Sequence, residues 1–214
     1  MKISKRTFTR YKKRVLKSHN WLLAGGLVIL VIVMTINSTS TSSFNSSAYA
    51  PLLNVIARGE SGGNYNAHFS NPANMSLRFT DMTIEEVLQW QSDYVNKGNF
   101  SSAVGKYQII RPTLVDLINK LNIDPNTKFD ESTQDRLAIA LLERRGANEY
   151  ANKKLTREEF AANLAKEWAA LPKATGSNPE ESYYGGDGVN KSNVTVNEVF
   201  AVLDTLLKSA EKNG

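Results

Sequence analysis

One carboxylate stands where a helix should end. Glu60 lies in Ala57-Arg58-Gly59-Glu60-Ser61-Gly62-Gly63-Asn64-Tyr65-Asn66-Ala67, after a run from Pro51 in which Leu52, Leu53, Val55 and Ile56 form a helical stripe. The carbonyl end of a helix repels a negative charge, and burial raises a carboxylate pKa further. A carboxylic acid that keeps its proton near neutral pH can act as a general acid. For an isolated Glu the ordinary reading is a surface residue ahead of a Gly cap. A second stretch bears on that choice. Ser101-Ser102-Ala103-Val104-Gly105-Lys106-Tyr107-Gln108-Ile109-Ile110-Arg111-Pro112 offers a glycine turn, an aromatic ring and an amide just before a helix start. An acid to protonate a leaving oxygen, with aromatic surface and amides along a groove, suits a sugar polymer.

Other chemistries are narrowed by composition. The 214 residues contain no cysteine, which excludes disulfides, thiolate zinc sites and cysteine nucleophiles. His19 and His68 lie far apart and make no ligand or triad pattern, so neither metal nor cofactor is expected. The net charge of +5 is concentrated at one end. Residues 1–20 hold eight of the 26 basic residues and no acid, leaving 18 basic against 21 acidic in the remainder. The basic excess therefore marks a tail, and no nucleic-acid partner is expected.

That tail flanks an apolar segment at residues 21–36, and no charged residue occurs from Asn20 to Ala57. Apolarity on every face beside a basic flank predicts one N-terminal transmembrane helix with the tail in the cytoplasm. Residues 37–50, rich in Ser and Thr, read as a tether. Ala48-Tyr49-Ala50 fits a small-x-small cleavage site, but Pro51 follows the cut and disfavours it, so a retained inner-membrane anchor is expected over a cleaved, secreted form.

The elements that must position Glu60 and the Gly105–Gln108 turn are mainly helical. Thr83-Ile84-Glu85-Glu86, Thr156-Arg157-Glu158-Glu159 and Thr195-Val196-Asn197-Glu198 are capping boxes, opening helices to about Asn96, Leu171 and Lys212. Pro112 starts a helix through Leu121, and Asp130 caps one through Arg145. Residues 61–82 read as a loop or small hairpin lobe, with a β-like piece from Ser76 to Thr80, and residues 173–193 as a long loop.

These stretches together resemble the lysozyme-like superfamily, in which lytic transglycosylases carry Glu-Ser at a helix end and Gly-x-x-Gln before a later helix. Glu60-Ser61 and Gly105-Lys106-Tyr107-Gln108 match in that order. The resemblance is nearest to endolysins of the phage lambda type, through Phe79-Thr80-Asp81, Glu143-Arg144-Arg145-Gly146-Ala147, Trp168-Ala169-Ala170-Leu171-Pro172 and Tyr184-Gly185. Differences lie in the absence of paired tryptophans near Thr113-Leu114 and in the longer 173–193 loop.

The resemblance implies a mainly α fold (α+β, lysozyme-like) with a small β/loop lobe over residues 51–214. It further implies a monomeric enzyme acting on peptidoglycan glycan strands, with Glu60 as its sole catalytic carboxylate. Ser61, Lys106, Tyr107 and Gln108 would line the groove, with Tyr65 and Tyr184 as sugar platforms. Cleavage of the MurNAc–GlcNAc β-1,4 bond would give 1,6-anhydro products. A hydrolytic muramidase would need a second carboxylate, for which Asp81 is the candidate, although it reads better as an acid ahead of the helix at Thr83. A wall-binding virion module without catalysis is the remaining alternative.

Overall fold

Pro51 and a pair of glycines frame the first helix. In the computed structural model, α1 spans Ala50–Ser61, with Pro51 in its first turn. Gly62, at φ 66°, closes it in the left-handed conformation, and the Gly63 N–H reaches back to the Ala57 carbonyl at 3.1 Å. Leu52, Leu53, Ile56 and Ala57 are buried on one face, so the sequence stripe is the core face. The structure describes residues 46–186 and 188–213. The basic tail and the expected anchor at 21–36 lie outside them, and no helix among the described residues is long and apolar enough to cross a membrane.

Ser46–Tyr49 form a 3-10 turn leading into α1, and Tyr49 is buried. The folded body thus begins before residue 51, and the last part of the expected tether packs against α1 and the C-terminal helix. Cleavage after Ala50 would remove Tyr49 from the core.

The capping signals place their helices well. Thr83 accepts from the Glu86 N–H and opens α2, Ile84–Asn96. Helix α3 spans Arg111–Lys120, and α4, Glu131–Arg144, starts at Asp130, whose side chain accepts from the Thr133 N–H. A short α5, Ala147–Ala151, follows Gly146 at φ 104° and was not expected. Thr156 opens α6 with the expected box, and Thr195 opens α7, Val196–Asn213, accepting from the Glu198 N–H at 3.3 Å. Helix α7 lies along α1 and α6, and Arg58 of α1 meets Glu198 at 2.6 Å. Leu164, Leu203, Phe160 and Leu137 join Ile56 in one buried cluster.

Two expectations are corrected. The small β lobe is not built from strands, because among the described residues only isolated bridges occur, such as His68–Val104 and Val104–Ile109. Asparagines order this loop instead. Buried Asn74 donates to the Asn66 and Leu77 carbonyls and accepts from the Leu77 N–H. Asn66 accepts from the Thr80 N–H, and Asn64 donates to the Pro72 and Asn74 carbonyls. Side-chain amides thus satisfy backbone groups that a sheet would otherwise pair. The β-like piece at Ser76–Thr80 gives way to a 3-10 turn, Phe79–Asp81.

The second correction is to α6, which spans Arg157–Ala165 and stops short of the expected Leu171. A helix through Leu171 would tie the Ala170 N–H to the Lys166 carbonyl. That carbonyl instead accepts from Arg145 Nη2 at 3.0 Å and from the Tyr184 hydroxyl at 2.8 Å. The Ala170 N–H is thereby left for another acceptor.

Candidate active site

The acceptor is Glu60. Its Oε1 takes the Ala170 N–H at 2.9 Å, across 110 residues of sequence. The contact depends on Gly59, where an added Cβ would lie 2.9 Å from Val194 Cγ2 and 3.0 Å from the Ala170 Cβ. Only a glycine lets the end of α1 approach the Trp168–Leu171 segment this closely. Burial pushes the Glu60 carboxyl up from 4.5 to about 7, while the Ala170 N–H pulls the other way. The elevated pKa expected from the helix end is present, but desolvation is its main cause.

Gly59→Ala should push Ala170 away and misplace the acid. We expect kcat to fall about 10- to 100-fold and stability by about 1–3 kcal/mol. Steady-state kinetics alongside thermal unfolding would check this, and an unchanged kcat would refute the role of close approach.

The Gly105–Gln108 turn faces the same space. Its ends pair through Val104 and Ile109, with the Ile109 N–H donating at 2.9 Å. Gly105 has φ 78°, and a Cβ there would collide with Gln134 and lie 3.1 Å from Phe129. Ser61 Oγ donates to the Lys106 carbonyl at 2.7 Å, tying the residue after the acid to the turn. Gln134 of α4 is fully buried beneath it, accepting the Lys106 N–H at 2.9 Å and donating to the Tyr65 and Phe129 carbonyls.

Between these parts lies a cavity of about 500 Å³, within the range of small-ligand sites. Glu60, Tyr107, Gln108 and Tyr184 line it. Gln108 sits at φ 47° and donates from Nε2 to the Gly105 carbonyl at 2.9 Å. Tyr184 is half-exposed at the rim. Tyr107 contributes a buried ring, while its hydroxyl donates to Asp135 at 2.6 Å.

The other expected residues fall elsewhere. Tyr65 and Lys106 do not line the cavity. They join each other at 2.9 Å and share Asp135 in a polar network that braces the turn. Ser61 is buried behind the acid and also stays out of the lining. Asp81 lies outside the cavity, exposed and paired with Arg78 at 2.7 Å, and the cap of α2 is Thr83. Trp168 is a core residue that also lines the cavity.

Several lining residues were not read from sequence as site residues, among them Phe100, Ile110, Lys166 and Glu167, while Arg144 and Arg145 entered only as part of the Glu143–Ala147 resemblance. Glu167 is clamped by two guanidiniums, with Arg144 Nη2 at 2.8 Å and Arg145 Nε at 2.7 Å. The adjacent arginines at the end of α4 were the available signal, but basic residues are common in any last helical turn. Among the described residues no cluster of His, Asp and Glu could hold a metal ion.

A helix-end acid facing a Gly-x-x-Gln turn across a cleft combines the two segments singled out from sequence, and the distant backbone N–H that holds the acid is added by the fold. A family model described as Endolysin matches residues 50–185, which spans both segments and all of α1 to α6. No curated protein and no solved structure matches the chain. The family match covers well over half of the sequence, and the chain belongs to the endolysin family of peptidoglycan-degrading lytic enzymes.

Proposed function

We propose that the enzyme is a lytic transglycosylase that cleaves the β-1,4 bond between N-acetylmuramic acid and N-acetylglucosamine. Glu60, whose burial raises its pKa to about 7, gives its proton from the protonated form to the glycosidic oxygen as that bond breaks. The resulting carboxylate then takes the proton of the muramoyl C6 hydroxyl while its oxygen attacks C1, closing the 1,6-anhydro ring. The Glu60 proton is restored and no water enters the product. Tyr107 and Gln108 line the cleft beside the sugar, and Tyr184 offers a ring face at its rim.

One observation carries this reading over a hydrolase. Among the described residues, the only carboxylates lining the cavity are Glu60 and Glu167, and Glu167 is held by Arg144 and Arg145. A glycoside hydrolase of the usual type needs a second carboxylate free to act as nucleophile or to activate water. Asp81 sits outside the cavity, so it does not fill that place. Mass spectrometry of muropeptides released from purified sacculi should show 1,6-anhydro ends in nearly every product. Reducing ends in their place would make the enzyme a hydrolase.

The apolar segment at 21–36 supports placement of the catalytic body outside the cytoplasm, tethered to the inner membrane. Tyr49 in the core favours a retained anchor over cleavage after Ala50.

A further inference from the structure

The cavity lining divides by chemistry. One group is apolar and open to solvent, with Phe100 69% exposed and Ile110 42% exposed. These side chains suit the faces of sugar rings. The other group is charged and sits where α4 and α6 end. It comprises Arg144, Arg145, Lys166 and Glu167. Glu167 is nearly covered, its side chain 7% exposed, and its two oxygens accept three hydrogen bonds from two guanidinium nitrogens, Arg144 Nη2 and Arg145 Nε. Arg144 also reaches Asp116 at 3.0 Å on the outer surface.

Three cations therefore face two carboxylates, and one positive charge is left over. Lys166 carries it. Lys166 is exposed, and among the described residues its ammonium meets only the Asn163 amide oxygen, at 3.4 Å. Its own carbonyl is fixed by Arg145 and Tyr184, so the backbone beneath the side chain is anchored at the cleft. A neutral sugar backbone does not call for a surplus cation. A carboxylate does, and each muramoyl residue of a glycan strand that bears a peptide stem can carry one on that stem.

We propose that Lys166, supported by the Arg144–Arg145–Glu167 cluster, receives a carboxylate of the peptide stem, so that strands whose stems carry free carboxylates are cut in preference to strands whose stem carboxylates are converted to neutral amides. This rests on the reading of the enzyme as a glycosidase of peptidoglycan. Lys166 is a specificity residue in this account and takes no part in the proton transfers.

The test uses the full-length chain and two substrates, glycan strands with their peptide stems and the same strands after the stem carboxylates have been converted to neutral amides. The readout is the ratio of kcat/KM on the two. Wild type should favour strands with charged stems. Lys166→Ala should lower the ratio about twofold to fivefold and Lys166→Glu further, in line with one exposed ion pair. The preference should also shrink on adding salt. Lys120→Glu, the same charge change at the end of α3, should leave the ratio alone.

Equal cleavage of both substrates by wild type, or an unchanged ratio in Lys166→Glu, overturns the inference while the glycosidase reading stands. Cleavage of neither substrate overturns both. Because Lys166 is exposed, the variants should fold, and matching thermal unfolding curves would verify that.

Discussion

Glu60→Gln should reduce peptidoglycan cleavage about 10²- to 10⁴-fold, the usual range for a lost general acid or base, and at the same time stabilise the protein. The amide keeps an oxygen for the Ala170 N–H, so the fold is undisturbed, but it has no proton to give. The stability change follows from linkage. The Glu60 pKa is raised from 4.5 to about 7 in the folded protein, so the folded state binds the proton more tightly than the unfolded chain. That contribution is complete below pH 4.5 and is lost as pH rises towards and past 7. Above pH 8, wild type should therefore trail the Gln variant by about 3 kcal/mol, and the two should converge in acid. Thermal unfolding across pH 4–9 reads this directly. Parallel stability curves for the two proteins would show that Glu60 is not held in its protonated form. Wild-type cleavage should decline above pH 7 for the same reason, about tenfold per unit once the acid is mostly ionised.

The second large effect concerns a residue with no part in the chemistry. Gln134 is fully buried, and its amide satisfies three backbone groups, the Lys106 N–H and the Tyr65 and Phe129 carbonyls. Gln134→Leu fills a similar volume but leaves all three without partners. Each such group costs about 1–3 kcal/mol, so we expect a loss of about 3–5 kcal/mol and a melting temperature lower by roughly 10–15 °C. Circular dichroism melting checks it. A shift of only about 2 °C would mean that water or rearrangement replaces the amide. The Gly105–Gln108 turn should loosen as well, so residual activity should fall even well below the melting temperature.

The legible parts of the fold were those with local causes. Thr83, Thr156 and Thr195 each sit three residues before a Glu, and the reciprocal bonds of a capping box need nothing beyond that segment. Glu60 could be found because a helix stripe and a Gly cap are also local. Its partner could not. The Ala170 N–H is 110 residues away, and it is available only because Arg145 and Tyr184 take the carbonyl that a continuing helix would have used. The run from Thr156 to Leu171 reads as helix from its residues alone, and tertiary hydrogen bonds end it early. The loop at 61–82 was misread in part for a similar reason. Its asparagines signal turns, but which carbonyls Asn64 and Asn74 will meet is a property of the folded loop. Tyr65 and Lys106 were drawn towards the cleft by their place in the motif, whereas Asp135 of α4, invisible to motif reading, holds both of them outside it.

The residues beyond the family match give α1, the helix that carries Glu60, its seat. The match ends at residue 185, yet Asn193 donates from Nδ2 to the Gly59 carbonyl at 2.9 Å and from its backbone N–H to the Ala170 carbonyl at 2.9 Å. Val194 fills the space beside Gly59, and α7 runs along α1. The packing around Glu60 therefore does not stop at the family boundary. Transplanting residues 50–185 into another protein would carry over both site motifs but leave behind the clasp that keeps Glu60 against Ala170, so the smallest portable unit of this enzyme extends to the end of α7.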